Sequence, residues 1–322
     1  MKQISKYYLE FEKSIGVLDE KIIAIETAKE LTQDEIKSLE ILKKQRNSEI
    51  KKIYNGLSRW QRVQLARHPN RPYSLDYIKY FSPDFIELHG DRHFRDDPAV
   101  ITGLGHFQNK KIAWIGQQKG RNTKDNLYRN FGMMRPDGYR KALRVMKLAE
   151  KFGLPIITLL DTIGAYPGLG AEERGQGEAI ARNLLEMSGL KVPIISIVIG
   201  EGASGGALGI GICDRMLMLE NTWYSVISPE GCASILFRDA KQAEAAAEAL
   251  KPTPVDLVEM GICDRIISEP NGGAHRDFNA TAKTLKTVLI EELDTLNNYN
   301  PDDFLESRIQ KYEKLGYYKE IL

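Results

Sequence analysis

The sequence lacks several features that would mark whole classes of protein. It has only 3 cysteines among 322 residues, and none of them belongs to a CxxC pair. No run of about 18 uncharged apolar residues occurs, and the N-terminal segment MKQISKYYLEFEKS contains no apolar stretch of the kind found in signal peptides;. We therefore expect no metal site in this chain, no membrane span and no secretion, and we predict a cytoplasmic protein with reduced thiols.

An excess of charge of one sign is also missing. Lys+Arg 45 against Asp+Glu 44 leaves a formal net charge of +1. Balanced charge gives no general attraction to nucleic acid or to anionic lipid, so neither partner is expected. What is present is a hydrophobic fraction of 42%, in a chain long enough to bury a large core;. These numbers predict a globular protein of enzyme size.

Composition divides the chain into three predicted parts. Residues 1–58 are rich in Lys, Glu and Ile, and they predict two antiparallel helices joined near Thr32, which has the spacing of a capping box with Glu35;. Such a helical hairpin either packs on the main domain with one solvated face or docks another subunit, and the sequence does not separate these roles. Residues 59–300 predict an α/β domain, and residues 301–322 predict a helical tail.

Short apolar runs alternate with helical patterns in the α/β part. Three runs are predicted as strands, of which the last is fully apolar and therefore expected to be buried, and two segments between them are predicted as helices. The strands are Lys111 to Gly116, Pro155 to Leu160 and Val192 to Ile199, and the helices are Pro136 to Phe152 and Glu172 to Ser188.

A glycine-rich segment, GEGASGG at Gly200 to Gly206, follows the last of these strands. It contains the GxGxxG pattern of dinucleotide-binding proteins. However, only residues 207–214 separate it from the next apolar run, Met216 to Leu219, whereas a parallel crossover needs about ten to twelve residues. We therefore do not expect a dinucleotide, and the lysine of a phosphate-binding P-loop is missing after Gly205.

The same segment contains GxSxG, the pattern of the serine hydrolase nucleophile elbow, centred on Ser204;. A triad could be completed by Asp256 or Asp264 and by His275, the only histidine downstream;. Against this, a small serine suits any tight turn, and one histidine in a glycine-rich loop is a weak signal. A hydrolase stays as the second hypothesis.

The third interpretation makes the backbone the catalytic group. Gly205 and Gly206 precede a predicted helix, where N–H groups lack partners and the absence of side chains allows an oxygen to approach;. Such donors form an oxyanion hole, which can stabilise the enolate of a thioester or the anion of a urea. No nucleophile and no metal ion are needed.

Motifs along the chain support this third interpretation through a family resemblance. GEGASGGALGIG, followed by YSVISPEG and an Ala-rich helix, resembles the crotonase superfamily. ELHGDR, GQQKGRNTK, DTIGAYPG, AEERGQ and EPNGGAHRD, in this order, are similar to the carboxyltransferase alpha subunits of bacterial multi-subunit acetyl-CoA carboxylases. The resemblance covers nearly the whole chain. Ile163 and Ala203 depart from the usual pattern but leave the glycine pair intact.

The resemblance implies a crotonase-like ββα spiral core with the helical hairpin as an N-terminal extension. It implies transfer of a carboxyl group from carboxybiotin, on the biotin carboxyl carrier protein, to acetyl-CoA, which forms malonyl-CoA for fatty acid biosynthesis. The active site would be shared with a beta subunit in an α2β2 heterotetramer. Zinc is expected only on the beta subunit, ATP would be used only by the biotin carboxylase partner, and no cofactor would be covalently bound here.

Site residues follow from the resemblance and from a group of basic residues between Lys119 and Arg129. The backbone N–H groups of Gly205 and Gly206 would bind the biotin ureido oxygen. The rim of the site is predicted to include Gly164, Ala165, Tyr166, Gly168, Gly202 and Ser204. A basic cluster could hold carboxylate or phosphate groups, or could equally be a solvated or intersubunit face, and its members are Lys119, Arg121, Lys124 and Arg129. His89 and His93 are four apart, but the glycine between them predicts a turn rather than a metal site.

Overall fold

A computed structural model describes residues 7–28, 30–296 and 300–316. Short 3₁₀ turns occur at Glu10–Glu12, Asn130–Gly132, Ala240–Gln242 and Pro270–Gly272. The helices are α1 Lys13–Glu26, α2 Gln33–Asn55, α3 Arg59–Ala66, α4 Ser74–Phe81, α5 Thr123–Tyr128, α6 Pro136–Lys151, α7 Leu169–Glu172, α8 Gln176–Gly189, α9 Ser204–Leu208, α10 Pro229–Leu236, α11 Ala243–Leu250, α12 Pro254–Glu259, α13 Phe278–Leu296 and α14 Pro301–Glu313. The strands are β1 Ile86–Glu87, β2 Val100–Phe107, β3 Lys110–Gln117, β4 Ile156–Thr162, β5 Ile194–Ala203, β6 Arg215–Leu219, β7 Trp223–Ser225 and β8 Arg265–Ile267.

The strands form one sheet in the order β1-β2-β3-β4-β5-β6-β8, with β7 paired to the end of β5. β1, β2 and β3 are antiparallel, whereas the pairs from β3 onward are parallel. β4 and β5 start in register at Ile156 and Ile194 and still pair at Thr162 and Gly202. Their carboxyl ends therefore meet at one edge of the sheet, which is where open α/β sheets place their sites.

Two hydrophobic layers cover the two faces of the sheet, which explains the unbroken apolar runs. Along β5, Ile194 and Val198 pack into a layer that includes residues of α6 and α8. The alternate residues Ile195 and Ile197 pack into a second layer with α4 and α13. In a strand that is buried on both faces, neither set of alternating side chains contacts solvent, so its sequence is continuously hydrophobic. The three predicted strands and the two predicted helices are confirmed, with shifts of a few residues at their ends.

The N-terminal helices form the predicted hairpin. The Thr32 hydroxyl accepts a hydrogen bond from the Glu35 N–H at 3.3 Å, and the Glu35 carboxylate accepts one from the Thr32 N–H at 2.8 Å. This is the expected capping box, and it starts α2. Within the described part of the chain, none of the helices combines the length and apolar character needed to cross a bilayer. The division at residues 58 and 300 stays a prediction.

Candidate active site

The glycine-rich segment is divided between a strand and a helix. β5 extends to Ala203, so Gly200 and Gly202 are strand residues. A Cβ at Gly200 would lie 2.6 Å from Cγ of Asp161, and one at Gly202 would lie 2.5 Å from the ring of Tyr224. These two glycines are needed for close packing at the end of the strand, rather than for a phosphate-binding turn.

The connection length does not exclude a dinucleotide site, contrary to the expectation from the sequence. β5 and β6 are parallel, and residues 204–214 connect them. These 11 residues are enough for a parallel connection, and its helix, α9, has only 5 residues;. What separates this segment from a dinucleotide fingerprint is instead that its first two glycines lie in a strand and that a full crossover helix is missing.

The glycine pair lies at the start of α9. Gly205 is half-buried, and a Cβ there would meet only Ile180 Cδ1 at 3.7 Å, so a ligand atom has room to approach. Ser204, Gly205 and Gly206 belong to the first turn, where N–H groups have no acceptor inside the helix;. A helix this short has a small dipole. Any stabilisation of an anion must therefore come mainly from the N–H groups themselves.

The turn that follows β4 lies directly against this pair. A Cβ on Gly206 would overlap the carbonyl carbon of Gly164 and lie 2.6 Å from the nitrogen of Ala165. Thr162 Oγ1 holds the turn by accepting from the Gly164 N–H at 3.2 Å and donating to its carbonyl oxygen at 2.7 Å. The structure thus brings the DTIGAYPG turn and the glycine pair together at the same edge of the sheet.

The outer part of that turn carries an aromatic side chain. The Arg135 guanidinium lies 4.5 Å from the centre of the Tyr166 ring. A Cβ on Gly168 would lie 2.9 Å from Cζ of that ring, so the tyrosine folds back over the glycine. The neighbouring Ile163 and Leu169 side chains are exposed, at 46% and 75%. The turn therefore presents apolar and aromatic surface next to the glycine pair.

A buried ionic network lies behind the site. The Lys119 ammonium contacts Asp161 Oδ1 at 2.7 Å and Glu201 Oε1 at 2.8 Å, and Arg67 Nε contacts Glu201 Oε2 at 2.6 Å. Burial alone would lower the pKa of Lys119, but the attraction of Asp161 and Glu201 outweighs it and raises that pKa above its ordinary value;. Lys119 therefore stays charged and cannot serve as a base.

The other basic residues of the predicted anion cluster also have partners. Arg121 pairs with Asp76 and donates to the Arg71 carbonyl oxygen at 3.0 Å. Arg129 pairs with Asp125 at 3.2 Å and donates to the Pro98 carbonyl oxygen at 2.9 Å. Lys124 is exposed. With three of the four charges engaged, the arrangement gives no support to one shared anion site, which stays a prediction.

One feature of Ser204 suits a nucleophile elbow, since its φ is +56°;. Its proposed triad partners are bound elsewhere. His275 Nε2 lies 3.1 Å from Glu12 Oε1, Asp256 pairs with Arg59 at 2.6 Å, and Asp264 accepts the Met216 N–H at 2.6 Å. The hydrolase triad is not assembled.

Sequence reasoning missed a buried group at the junction of hairpin and sheet domain. Glu12, His68 and His275 place ligand-type atoms within 4.8 Å of one another, a spacing that could also hold a metal ion. Members of this group already have hydrogen-bond partners: Tyr54 donates to Glu12 at 2.5 Å, and the Asn70 N–H donates to His68 Nδ1 at 3.2 Å. We call this group, together with Asp19 and Arg276, the hairpin joint. His89 and His93 are exposed on a turn that Asp91 organises.

Comparison with known proteins places the chain in a family. The family model described as acetyl co-enzyme A carboxylase carboxyltransferase-like matches residues 8–316. A relative named acetyl-coenzyme A carboxylase carboxyl transferase subunit alpha, from Chlorobium phaeobacteroides, is 54% identical over 331 residues, covering 98% of this chain and 99% of that protein. The protein of the same name from Staphylococcus epidermidis is 53% identical, covering 96% and 98%.

Solved structures share the crotonase-like fold. A Pseudomonas malonate decarboxylase hetero-tetramer, in complex with coenzyme A, matches with a TM-score of 0.59 at 16% identity, covering 73% of this chain and 92% of that chain. Transcarboxylase 12S matches with a TM-score of 0.53 at 18% identity, covering 68% and 42%. These distant matches establish the fold, while the curated relatives establish the family: the chain belongs to the alpha subunits of the acetyl-coenzyme A carboxylase carboxyltransferases.

Proposed function

We propose that this chain supplies one half of a shared active site, in which the N–H groups of Gly205 and Gly206 bind the ureido oxygen of carboxybiotin. The family is that of a biotin-dependent carboxyltransferase acting in malonyl-CoA formation. The observation that carries the proposal is the glycine pair at the start of α9, open at Gly205 and pressed against the Gly164 turn at Gly206.

The fit of a urea oxygen rests on the space at Gly205. Since a Cβ there would find only one atom within 4 Å, the oxygen of a ligand can come within hydrogen-bonding distance of the backbone;. Carboxybiotin would deliver the carboxyl group, and negative charge would develop on its ureido oxygen as the bond to that group breaks. The two N–H groups are held in advance by the helix start, and each donor would contribute about 3 kcal/mol to the transition state.

Side chains of this chain would take no part in proton transfer. Lys119 is held between two carboxylates, and Glu201 is bound by Lys119 and Arg67. Burial raises the pKa of Glu201, but these two cations outweigh burial and lower it below the ordinary value. The proton of the acetyl-CoA methyl group would instead go to the biotin that has lost its carboxyl group, and the resulting enolate would attack CO2.

The partners follow from the family and remain part of the proposal. A beta subunit with a zinc ribbon would hold the acyl-CoA thioester in an assembly of two alpha and two beta subunits. Biotin would arrive on the carrier protein after an ATP-dependent biotin carboxylase has loaded it, and the whole system would operate in the cytoplasm. The apolar surface at Ile163 and Leu169 suits contact with another protein;.

A reconstitution experiment tests the proposal. The purified chain, given carboxylated carrier protein and acetyl-CoA, should form no malonyl-CoA. Addition of a beta subunit should start turnover, since neither half of the site is complete alone. Propionyl-CoA in the same assay would report the acyl preference. Full turnover by the isolated chain would contradict a shared site.

A further inference from the structure

The carbonyl oxygen of Gly206 is held by side chains from outside the glycine segment. Gln117 Nε2 donates to it at 2.7 Å, and the Tyr139 hydroxyl donates to it at 3.3 Å. Both side chains are 0% exposed. In a longer helix this carbonyl would accept the N–H of Ile210, but that N–H bonds to the Ala207 oxygen at 3.3 Å;. The side chains thus replace a helix bond that α9 is too short to make.

Gln117 also binds the other side of the site. Its Oε1 accepts the N–H of Asp161 at 3.1 Å, at the point where β4 leads into the DTIGAYPG turn. One amide group at the end of β3 therefore connects the end of β4 with the start of α9. The same two segments meet directly where Gly206 touches Gly164. Gln117 therefore holds the end of β4 and the start of α9 at a fixed distance from each other.

We infer that Gln117 is a positioning residue for the reaction, because its amide holds the Gly206 carbonyl and so restrains the backbone of the residue whose N–H is one of the two proposed donors. This inference rests on the proposed function. The Gly206 carbonyl and N–H belong to two peptide units that share the Gly206 Cα, and a Cβ on that Cα would overlap Gly164. With this close contact on one side and the carbonyl anchored by Gln117, the backbone of Gly206 has little freedom to rotate. Oxyanion donors act only when held in advance, since small misplacements cost large factors in rate.

The neighbouring residue provides a matched control. Gln118 is 6% exposed, and its amide also makes two hydrogen bonds to backbone atoms. It accepts the Leu75 N–H at 2.8 Å and donates to the Lys119 carbonyl oxygen at 2.8 Å. These bonds join α4 to the end of β3 and do not involve the glycine pair. Replacing Gln118 should therefore disturb packing to a similar degree without turning the Gly206 peptide.

The experiment compares Gln117→Met with Gln118→Met in the complex reconstituted with a beta subunit. We expect Gln117→Met to lower kcat per assembled complex by about tenfold or more, with the KM for acetyl-CoA changed less than about twofold. Gln118→Met should keep kcat within about twofold, even where both variants lower the melting temperature. Equal losses of kcat in both variants, or normal kcat in assembled Gln117→Met, would overturn the inference.

A second variant, Gln117→Glu, tests the pH dependence of kcat, which a loss of packing alone would not change. In Gln117→Glu, a protonated carboxyl can still donate to Gly206 and accept from Asp161, whereas the ionised form can only accept. The charged groups nearby are the Asp161 carboxylate and its partner Lys119, and Tyr139 is neutral because burial raises its pKa above the ordinary value. We expect kcat of this variant, relative to the unaltered complex at the same pH, to rise as the pH falls. A flat ratio would contradict the positioning role.

Failure of the inference and failure of the proposed function are distinguished by a third variant. Gly205→Pro removes one N–H of the pair itself. If Gly205→Pro is slow while Gln117→Met is normal, the oxyanion hole stands and only the role of Gln117 is rejected. If Gly205→Pro turns over normally in an intact complex, the oxyanion hole itself is wrong.

Discussion

The hairpin joint and the glycine site both bury polar groups, but they do so in opposite ways. At the joint the buried groups are charged or titratable: Asp19 pairs with Arg276 at 2.7 Å, and Glu12 lies 3.1 Å from His275. Burial would raise the pKa of Glu12, yet hydrogen bonds from His275 and Tyr54 lower it to about 2. At the glycine site the groups proposed to act are neutral backbone N–H groups.

This difference explains why an active site formed by backbone groups is difficult to identify from titratable residues and cavities. Clustered titratable residues with shifted pKa values, beside a large cavity, are the ordinary indicators of an active site. Here a cavity of about 490 Å³ is lined by Asp19, Tyr54 and His275, at the joint. Those residues instead tie the hairpin to the sheet domain. The ionic network of Lys119, Asp161 and Glu201 lies behind the glycine site, but chemistry performed by the backbone gives none of these titratable groups a part in the reaction.

The comparison predicts that damage at the joint affects stability and not turnover. Asp19 is 1% exposed, and it accepts hydrogen bonds from Arg276 and Tyr8. Asp19→Asn keeps the shape but removes the carboxylate that pairs with the partly buried Arg276, so we expect a loss of about 3 kcal/mol in the free energy of unfolding;. Urea titration measures this loss, and kcat per assembled complex should stay within about twofold. A large fall in kcat would mean that the joint belongs to the catalytic machinery.

Acid should weaken the joint before it affects the glycine site. Burial and the adjacent His275 lower the pKa of His68 to about 3, although Glu12 opposes this, so folded His68 stays neutral while the unfolded chain takes up a proton near pH 6.5. Stability is therefore lost as the pH falls below about 6.5, by at most about 1.4 kcal/mol per pH unit for this group. Glu12 adds a further loss as the pH falls from 4.5 towards 2.

Urea titrations between pH 7 and pH 5 check this prediction. His68→Gln removes the titrating group and should flatten the slope over that window, although it lowers stability at pH 7. An unchanged free energy of unfolding between pH 7 and pH 5 in the unaltered protein would show that His68 is not held neutral by the fold.

The smallest effect is expected at Ser204. Ser204 is an exposed residue at the start of α9, and the backbone N–H groups are retained in Ser204→Ala. Malonyl-CoA formation by the reconstituted complex should therefore fall by less than about tenfold. Labelling of Ser204 by a fluorophosphonate, with an esterase activity that disappears in the variant, would favour the hydrolase hypothesis instead.

The sequence predicted those features that depend on local pattern. Buried strands have continuous apolar runs, and the Thr32 capping box lies within four residues. The glycine pair consists of two adjacent residues directly before a predicted helix, so it too could be recognised in the sequence. The bridge from Gln117 to Gly206 spans 89 residues, and the contact from Glu12 to His275 spans 263. Such contacts depend on strand order and on how the hairpin docks, and neither follows from one sequence.

One local prediction failed for a physical reason. The length of the connection after GEGASGG was taken as too short for a parallel crossover, but β5 extends into the segment and α9 makes little more than one turn. A crossover without a full helix is therefore possible. Residues 204–214, which are 11 residues, connect the two strands, and this length lies within the usual range of about ten to twelve;. The count from residue 207 was too short because β5 ends at Ala203 and the connection therefore begins at Ser204.

The most direct test of the account compares Gly205→Ala with Gly205→Pro. Both add a Cβ at a position where only Ile180 lies within 4 Å, and Gly205 does not have a positive φ. They differ in that alanine keeps the N–H, whereas proline removes it and also disfavours the left-handed conformation of the preceding Ser204, whose φ is +56°;. Melting temperature and assembly with the beta subunit serve as controls. If the Gly205 N–H is an oxyanion donor, kcat per assembled complex should be about a hundredfold lower for Gly205→Pro than for Gly205→Ala. Equal kcat values in two intact complexes would contradict this role of the glycine pair.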